Sequence, residues 1–221
     1  MTESQRILIA DDHPLFRLAL SEAVRAAAPG CDILQASTLD EAVAIIESRG
    51  GVELVLLDLL MPGANGFSGL IYLRVQRPET PVAIVSGVDE PRVVRKALAF
   101  GASGYIPKSL APARISEAIA AILAGACWAP DNAGAEGGEE SSETDFGRRL
   151  AGLSAQQFNV LRLIAEGKLN KEIAHELNLS ISTVKAHTTA LLKKLGLQRR
   201  TQILAAMQTL DLAEHRRGDG F

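Results

Sequence analysis

Cysteine is scarce in this chain: Cys31 and Cys127 are its two thiols in 221 residues. Two thiols cannot form a disulfide framework. They suit a reducing compartment, where such groups pack as small apolar side chains. Aromatic residues make up 4% of the chain, so the expected core is mainly aliphatic. No apolar run is long enough to cross a bilayer. The first residues, Met1 to Arg6, lack the basic-then-apolar form of a secretory signal. The expectation is a cytoplasmic protein with no membrane partner. What is abundant is aliphatic: 47% of residues are hydrophobic, too many for a disordered chain. The length suits one or two domains.

The overall charge of -3 conceals an uneven distribution. Residues 1–128 carry 11 basic and 14 acidic side chains, net -3, and residues 129–149 carry 2 and 6, net -4. Residues 150–221 carry 10 and 6, net +4. Only the last third is suited to meet a polyanion, although two ordinary solvated surfaces would give the same counts.

Apolar runs over residues 6–10, 33–36, 54–58, 81–85 and 104–106 read as strands. Helical patterns over 15–27, 41–48, 67–76, 91–100 and 112–124 alternate with them, and Thr38 or Asp40 is placed to cap the second. Five strands alternating with five helices predict an α/β fold, a doubly wound five-stranded parallel sheet, and the order expected for it is the flavodoxin-like 2-1-3-4-5. In such sheets ligands bind at the carboxyl ends of the strands, where the order reverses. The third run illustrates this: Leu54 to Leu57 lead straight into Asp58, and Pro62, Gly63, Asn65 and Gly66 break the strand into a loop.

The predicted order brings Asp11, Asp12 and Asp58 to one crevice, with Ser86 and Lys108 beside it. Taken singly, each could be a loop or cap residue. Together, three carboxylates repel unless a divalent cation joins them, and hard oxygen ligands suit Mg2+. A hydroxyl and an ammonium beside a metal-bound carboxylate can hold the oxygens of a phosphoryl group carried on it. The pattern reads as aspartyl phosphorylation.

These residues resemble the receiver domain of two-component response regulators. The likeness spans residues 5–125 and rests on Asp11-Asp12, Asp58 followed by Leu-Leu-Met-Pro and Gly66, Ser86, Tyr105 and Pro107-Lys108. It implies that Asp58 accepts the phosphoryl group from a sensor histidine kinase. It implies Asp12, Asp58 and the backbone carbonyl of Leu60 as Mg2+ ligands, with Asp11 acting through water. Ser86 and Lys108 then sense the phosphoryl group, and Tyr105 is the aromatic that turns inward. Gly87 departs from the usual small side chain and leaves space beside Ser86. Leu60 and Val88 flank the acceptor with apolar side chains that cannot orient water, so slow self-dephosphorylation is expected. His13 reads as a helix-entry residue, since Mg2+ prefers oxygen.

Residues 126–149 are rich in Gly, Ser and Glu without periodicity and read as a flexible linker. About twenty such residues reach roughly 25 Å. Beyond it, residues 150–221 give an all-α pattern of four helices over 155–165, 171–177, 181–195 and from 201, with Ser154, Asn170 and Ser180 as caps. The second and third make a helix-turn-helix. In the third, Val184, Leu191, Leu192 and Leu195 face the core. In the fourth, Ile203, Leu204, Met207 and Leu210 form a stripe shared between core and dimer contact.

This segment resembles LuxR-type DNA-binding domains through Asn170-Lys171-Glu172-Ile173-Ala174, Thr183-Val184-Lys185, His187 and Lys193-Lys194-Leu195-Gly196. Gln156-Gln157 stands where an Arg-Glu pair is usual. With the third helix in the major groove of double-stranded DNA, Lys185, Ala186 and Thr189 are placed for base edges. Thr183, Lys171, Lys193, Lys194, Arg199 and Arg200 are placed for phosphates, and His187 for packing or phosphate. The pairing of receiver and helix-turn-helix resembles the NarL/FixJ class. It implies a phosphorylation-gated transcription regulator that dimerises on DNA, with the receiver covering the third helix in the off state. Alternatives are a signalling protein acting through protein contacts alone, a haloacid-dehalogenase-type phosphatase and a small-molecule-sensing regulator. The phosphatase would need an acid where Leu60 stands.

Overall fold

The computed structural model describes residues 5–49, 51–64, 66–131 and 142–208. Leu210, expected on the last stripe, lies outside them. Strands β1 (Arg6–Ala10), β2 (Asp32–Ala36), β3 (Val52–Leu57), β4 (Val82–Ser86) and β5 (Gly104–Pro107) form one sheet. All pairs are parallel, and the order is the predicted β2-β1-β3-β4-β5. Ala36, Ala10, Leu57, Ile84 and Tyr105 cross it as one row. Asp11 and Asp58 each follow directly on that row.

The strands are continuous apolar runs because both faces are covered. Ile7, Ile9, Leu54, Leu56 and Val85 pack under helices α1 (Pro14–Ala27) and α5 (Pro112–Leu123). Leu8, Val55, Leu57 and Ile84 pack under α2 (Leu39–Arg49), α3 (Ser68–Gln76) and α4 (Pro91–Ala99). Pro14, Pro91 and Pro112 open α1, α4 and α5, where the missing N–H is no loss. Thr38 Oγ1 accepts from Glu41 N–H at 3.2 Å at the start of α2.

The sequence predicts a flexible connection over 126–149, and both of its described ends are structured instead. Trp128 bridges Gly104 in parallel, accepting the Tyr105 N–H at 2.9 Å and donating to Ser103 C=O at 3.3 Å. At the other end stands α6 (Ser142–Ala151). Its pattern is too polar to announce a helix, with Phe146 and Leu150 as its large apolar side chains. Tertiary packing makes it one. Leu150 is fully buried, and α6 lies against α3 and α4. Gly147 is pressed against the Phe100 ring so closely that a Cβ there would overlap three ring atoms. A mid-helix glycine costs about 1 kcal/mol relative to alanine; here it permits the close approach.

Helices α7 (Ala155–Ala165), α8 (Asn170–Glu176), α9 (Ile181–Leu195) and α10 (Thr201–Gln208) complete the chain. Ser154 and Gln157 form a reciprocal capping box, with N–H to side-chain oxygen distances of 3.3 and 3.1 Å. Gln157 thus has a local role that its departure from the usual pattern hides. Asn170 is not the cap of α8 but its first residue. Glu172 accepts the Leu169 N–H at 2.6 Å, and Asn170 Oδ1 accepts from Arg200 at 2.8 Å. Asn178 turns the chain with φ of 52°, a conformation asparagine tolerates.

The small helical domain docks on the sheet domain. The Tyr72 and Phe158 rings lie 5.8 Å apart, and Gln76 Nε2 donates to Asn159 Oδ1 at 3.1 Å. One apolar cluster runs through Phe67 and Phe100 to Leu150 and Phe158. Beside this seam a cleft of about 580 Å³ separates α2 from α10, with Leu39 and Val43 on one side and Leu204 and Met207 on the other. Among the described residues, no helix is long and apolar enough to cross a membrane.

Candidate functional site

Strand ends place the acidic residues. The Asp11 N–H reaches Ala36 C=O at 3.1 Å, and the Asp58 N–H reaches Ala10 C=O at 2.9 Å. The Lys108 N–H reaches Ser86 C=O at 2.7 Å. Each functional side chain is therefore fixed by the ladder hydrogen bond next to it. Asp11 and Asp58 are buried at 1% and 2% exposure, and Asp12 lies at the rim at 33%. Asp58 Oδ1 accepts the Leu60 N–H at 3.2 Å, and Asp11 Oδ1 accepts the His13 N–H at 2.8 Å.

Lys108 answers this negative charge. Its Nζ donates to Asp58 Oδ2 at 3.0 Å and stands 2.6 Å from Asp11 Oδ2. It also lies 4.6 Å above the centre of the Phe16 ring. Phe16 thus screens the ammonium and steers it inward, a role no pattern in the sequence marks. Burial pushes the Asp58 carboxyl above its ordinary value, and the Lys108 ammonium opposes that rise.

One cation does not saturate the pocket. Asp11 Oδ2 and Asp12 Oδ1 are buried oxygens that receive no well-directed hydrogen bond, despite the nearby Lys108 and His13 nitrogens. Ligand atoms of Asp11, Asp12, His13 and Asp58 all lie within 4.8 Å of one another. Unsatisfied carboxylate oxygens in that arrangement fit a small hard cation. His13 Nδ1 points at Asp12 Oδ1 from 2.8 Å while the ring remains exposed.

Ser86 and Tyr105 meet through Val88. Ser86 Oγ accepts the Val88 N–H at 3.2 Å, and Tyr105 donates its hydroxyl proton to Val88 C=O. Tyr105 is fully buried, pointing inward, and burial raises its phenol above the ordinary value so that it stays a donor. A Cβ on Gly87 would meet nothing within 4 Å, so space beside Ser86 is open. Leu60 and Val88 are half-buried against the core.

In the helical domain Ser180 caps α9 by accepting the Thr183 N–H at 3.0 Å, and Gly196 ends it with φ of 71°. Val184, Leu191 and Leu195 are buried, while Leu192 is half-buried. Lys185, Ala186, Thr189 and Lys193 are exposed together on the outer side, with Thr183 and His187 half-buried and Lys171 exposed on α8. Thr189 donates its hydroxyl to Lys185 C=O at 3.1 Å. Among the described residues the sheet domain leaves these exposed; α3 packs on α7 and α6, and α4 on α6. This differs from the off state implied by the class resemblance. Lys194 bonds to Gly152 C=O at 3.0 Å and Gln157 at 3.2 Å. Arg200 ties the start of α10 to Asn170 and to Lys168 C=O. Both cations are occupied inside the domain, whereas Arg199 is exposed.

Comparison with known proteins agrees with both halves. The response regulator receiver domain matches residues 7–120, and the luxR family of bacterial regulatory proteins matches residues 151–207. The glycerol metabolism activator of Pseudomonas putida is 37% identical over 96% of this chain and 99% of its own length. The nitrate/nitrite response regulator NarL of Escherichia coli K12 is 31% identical over 90% of this chain and 93% of its own. A structure of RcsB from Salmonella enterica serovar Typhimurium bound to a promoter superposes with a TM-score of 0.54. It is 24% identical and covers 94% of this chain and 100% of its own, which speaks to fold alone.

Proposed function

The chain belongs to the NarL/FixJ class of response regulators, a receiver domain joined to a LuxR-type DNA-binding domain, and we propose that it is switched by a phosphoryl group on Asp58. The observation that carries the reading is the convergence of Asp11, Asp12, Asp58 and Lys108 at one strand edge. A sensor histidine kinase is the donor. Asp12, Asp58 and the Leu60 carbonyl would hold Mg2+, with Asp11 acting through water. The bound cation supplies charge neutralisation as the dianion forms on Asp58.

The chain's own residues do the rest. Lys108 is already bonded to Asp58 and balances the added charge. Ser86 gives up the Val88 N–H to bond a phosphoryl oxygen. Tyr105, already turned inward, follows the Val88 peptide. Phosphorylation then biases a two-state equilibrium, and a nearly complete switch needs about 5 kcal/mol of preference between the states. Output is transcription control through α9 in the major groove of double-stranded DNA. Two copies bind half-sites about one helical turn apart. The protein is an acceptor, and its own hydrolysis of the acyl phosphate is slow. The domain division is residues 1–125, a connection over 126–149 and residues 150–221. Its setting is the cytoplasm, where kinase output and DNA meet.

The test is phosphorylation of purified protein with acetyl phosphate and Mg2+, read by intact mass. The native chain gains one phosphoryl group and Asp58→Asn gains none; an Asp58→Asn protein that still takes up the label overturns the assignment.

A further inference from the structure

Helix α9 has one large apolar side chain that is exposed, and it stands at the helix start. Ile181 is the first residue of α9, next to the Ser180 cap, and is 48% exposed. A lone exposed aliphatic residue is ordinary on a protein surface. Its position sets this one apart. Ile181, Lys185 and Thr189 follow one another at four-residue steps, so they lie along one side of the helix. All three are exposed, with Ser182 and Ala186 beside them. Helical side chains lean towards the N-terminus, so Ile181 projects past the helix start. In a helix-turn-helix the N-terminal residues of this helix meet the base edges.

The hydroxyls of this face are turned to local use. Ser182 Oγ and Thr183 Oγ1 each lie 2.7 Å from Ser180 Oγ, which also accepts the Thr183 N–H. Thr189 gives its hydroxyl proton to Lys185 C=O at 3.1 Å, which leaves its methyl for contact. Ile181, Ala186 and Thr189 therefore offer carbon, and Lys185 stands among them as the hydrogen-bond donor. The first turn of α9 holds no carboxylate to repel flanking phosphates. In the major groove the apolar feature of a base edge is the C5-methyl of thymine.

We propose that Ile181 is a specificity residue that reads a thymine methyl, extending the stripe of Lys185 and Thr189 by one turn at its leading end. This role rests on the proposed placement of α9 in the major groove and names what that face selects. Contact with the methyl takes out of water an apolar side chain that the free protein leaves wet. The half-site then carries a thymine beyond the base pair that faces Lys185.

The experiment uses the full-length chain, with and without acetyl phosphate and Mg2+. Native protein selects its site from duplexes with a randomised core. Each thymine of that site is then replaced in turn by deoxyuracil, which pairs alike and lacks only the methyl. Binding is read by fluorescence anisotropy. Uracil at the thymine facing Ile181 should weaken native binding by about fourfold, the effect of one methyl-sized group left unburied. Ile181→Ala should show no loss at that thymine and the native loss at every other. Ile181→Gln keeps the bulk and replaces the branched carbons with an amide. It should lose the same methyl dependence, and it carries the test if the alanine variant fails to fold. An Ile181→Ala chain that keeps the native penalty at every thymine overturns the proposal. So does equal weakening on all sequences, which marks a sugar or backbone contact. A native chain that enriches no sequence overturns the groove placement and this role with it, and does so before any variant is compared.

Discussion

Lys108 Nζ lies 3.0 Å from Asp58 Oδ2, and the same ammonium approaches Asp11 at 2.6 Å. One cation therefore serves two nearly buried carboxylates. Lys108→Gln leaves them facing each other. In metal-free buffer the substitution should lower unfolding stability by about 2–4 kcal/mol, near the range for breaking a buried ion pair. Added Mg2+ should return most of that loss, because it neutralises the same oxygens. Urea titrations with and without Mg2+ check this; an equal deficit in both contradicts the shared-cation account.

The acyl phosphate on Asp58 should persist for hours. Leu60 and Val88 flank the acceptor with side chains that give water no hydrogen bond. Leu60→Asn should shorten the lifetime by about tenfold or more, since a polar group there can align the attacking water. Loss of label from the native protein within a minute, in Mg2+ and without kinase, would rule the argument out.

DNA contacts separate by kind. Lys185→Ala should cost about 1–3 kcal/mol at the preferred site and relax the choice at one base pair. Lys193→Ala should weaken all sequences alike and reduce the salt slope of binding by about one. Anisotropy titrations at several salt concentrations distinguish them. Two lysines giving the same profile would mean that both contact only the backbone.

Arg200 is expected to behave as a structural residue. Its bonds to Asn170 and Lys168 join α10 to the start of α8. Arg200→Ala should destabilise the helical domain by about 1–2 kcal/mol, the range for lost hydrogen bonds from a charged group. Thermal melts measure this. If the variant melts like the native chain but binds DNA far less well, Arg200 is instead a phosphate contact.

Much of the receiver is legible in the sequence because its signals are local. Each strand is an apolar run, and each functional strand end carries a residue whose chemistry shows in the sequence. Alternation gives the doubly wound class, while the order 2-1-3-4-5 is one of the two orders common in that class. Register follows from neither, since pairing depends on contacts between distant segments. Helix α6 is hidden for a related reason. Its Gly147 and polar residues argue against a helix locally, and only the Phe100 ring, far away in sequence, makes glycine the residue that fits. Asn170 misleads because the same side chain that caps helices also accepts from a distant arginine. Phe16 reads as one more apolar residue on α1, although it sits beneath the Lys108 ammonium. The exposed α9 goes against class expectation because domain docking depends on complementarity between surfaces, which no motif encodes.

Trp128 is the single tryptophan of the chain, and its carbonyl holds the Tyr105 N–H. The protein thus carries its own optical probe, wired by one hydrogen bond to the strand that bears Tyr105. Intrinsic fluorescence should report rearrangement of β5 in real time, without a dye and without altering any residue of the proposed phosphorylation site.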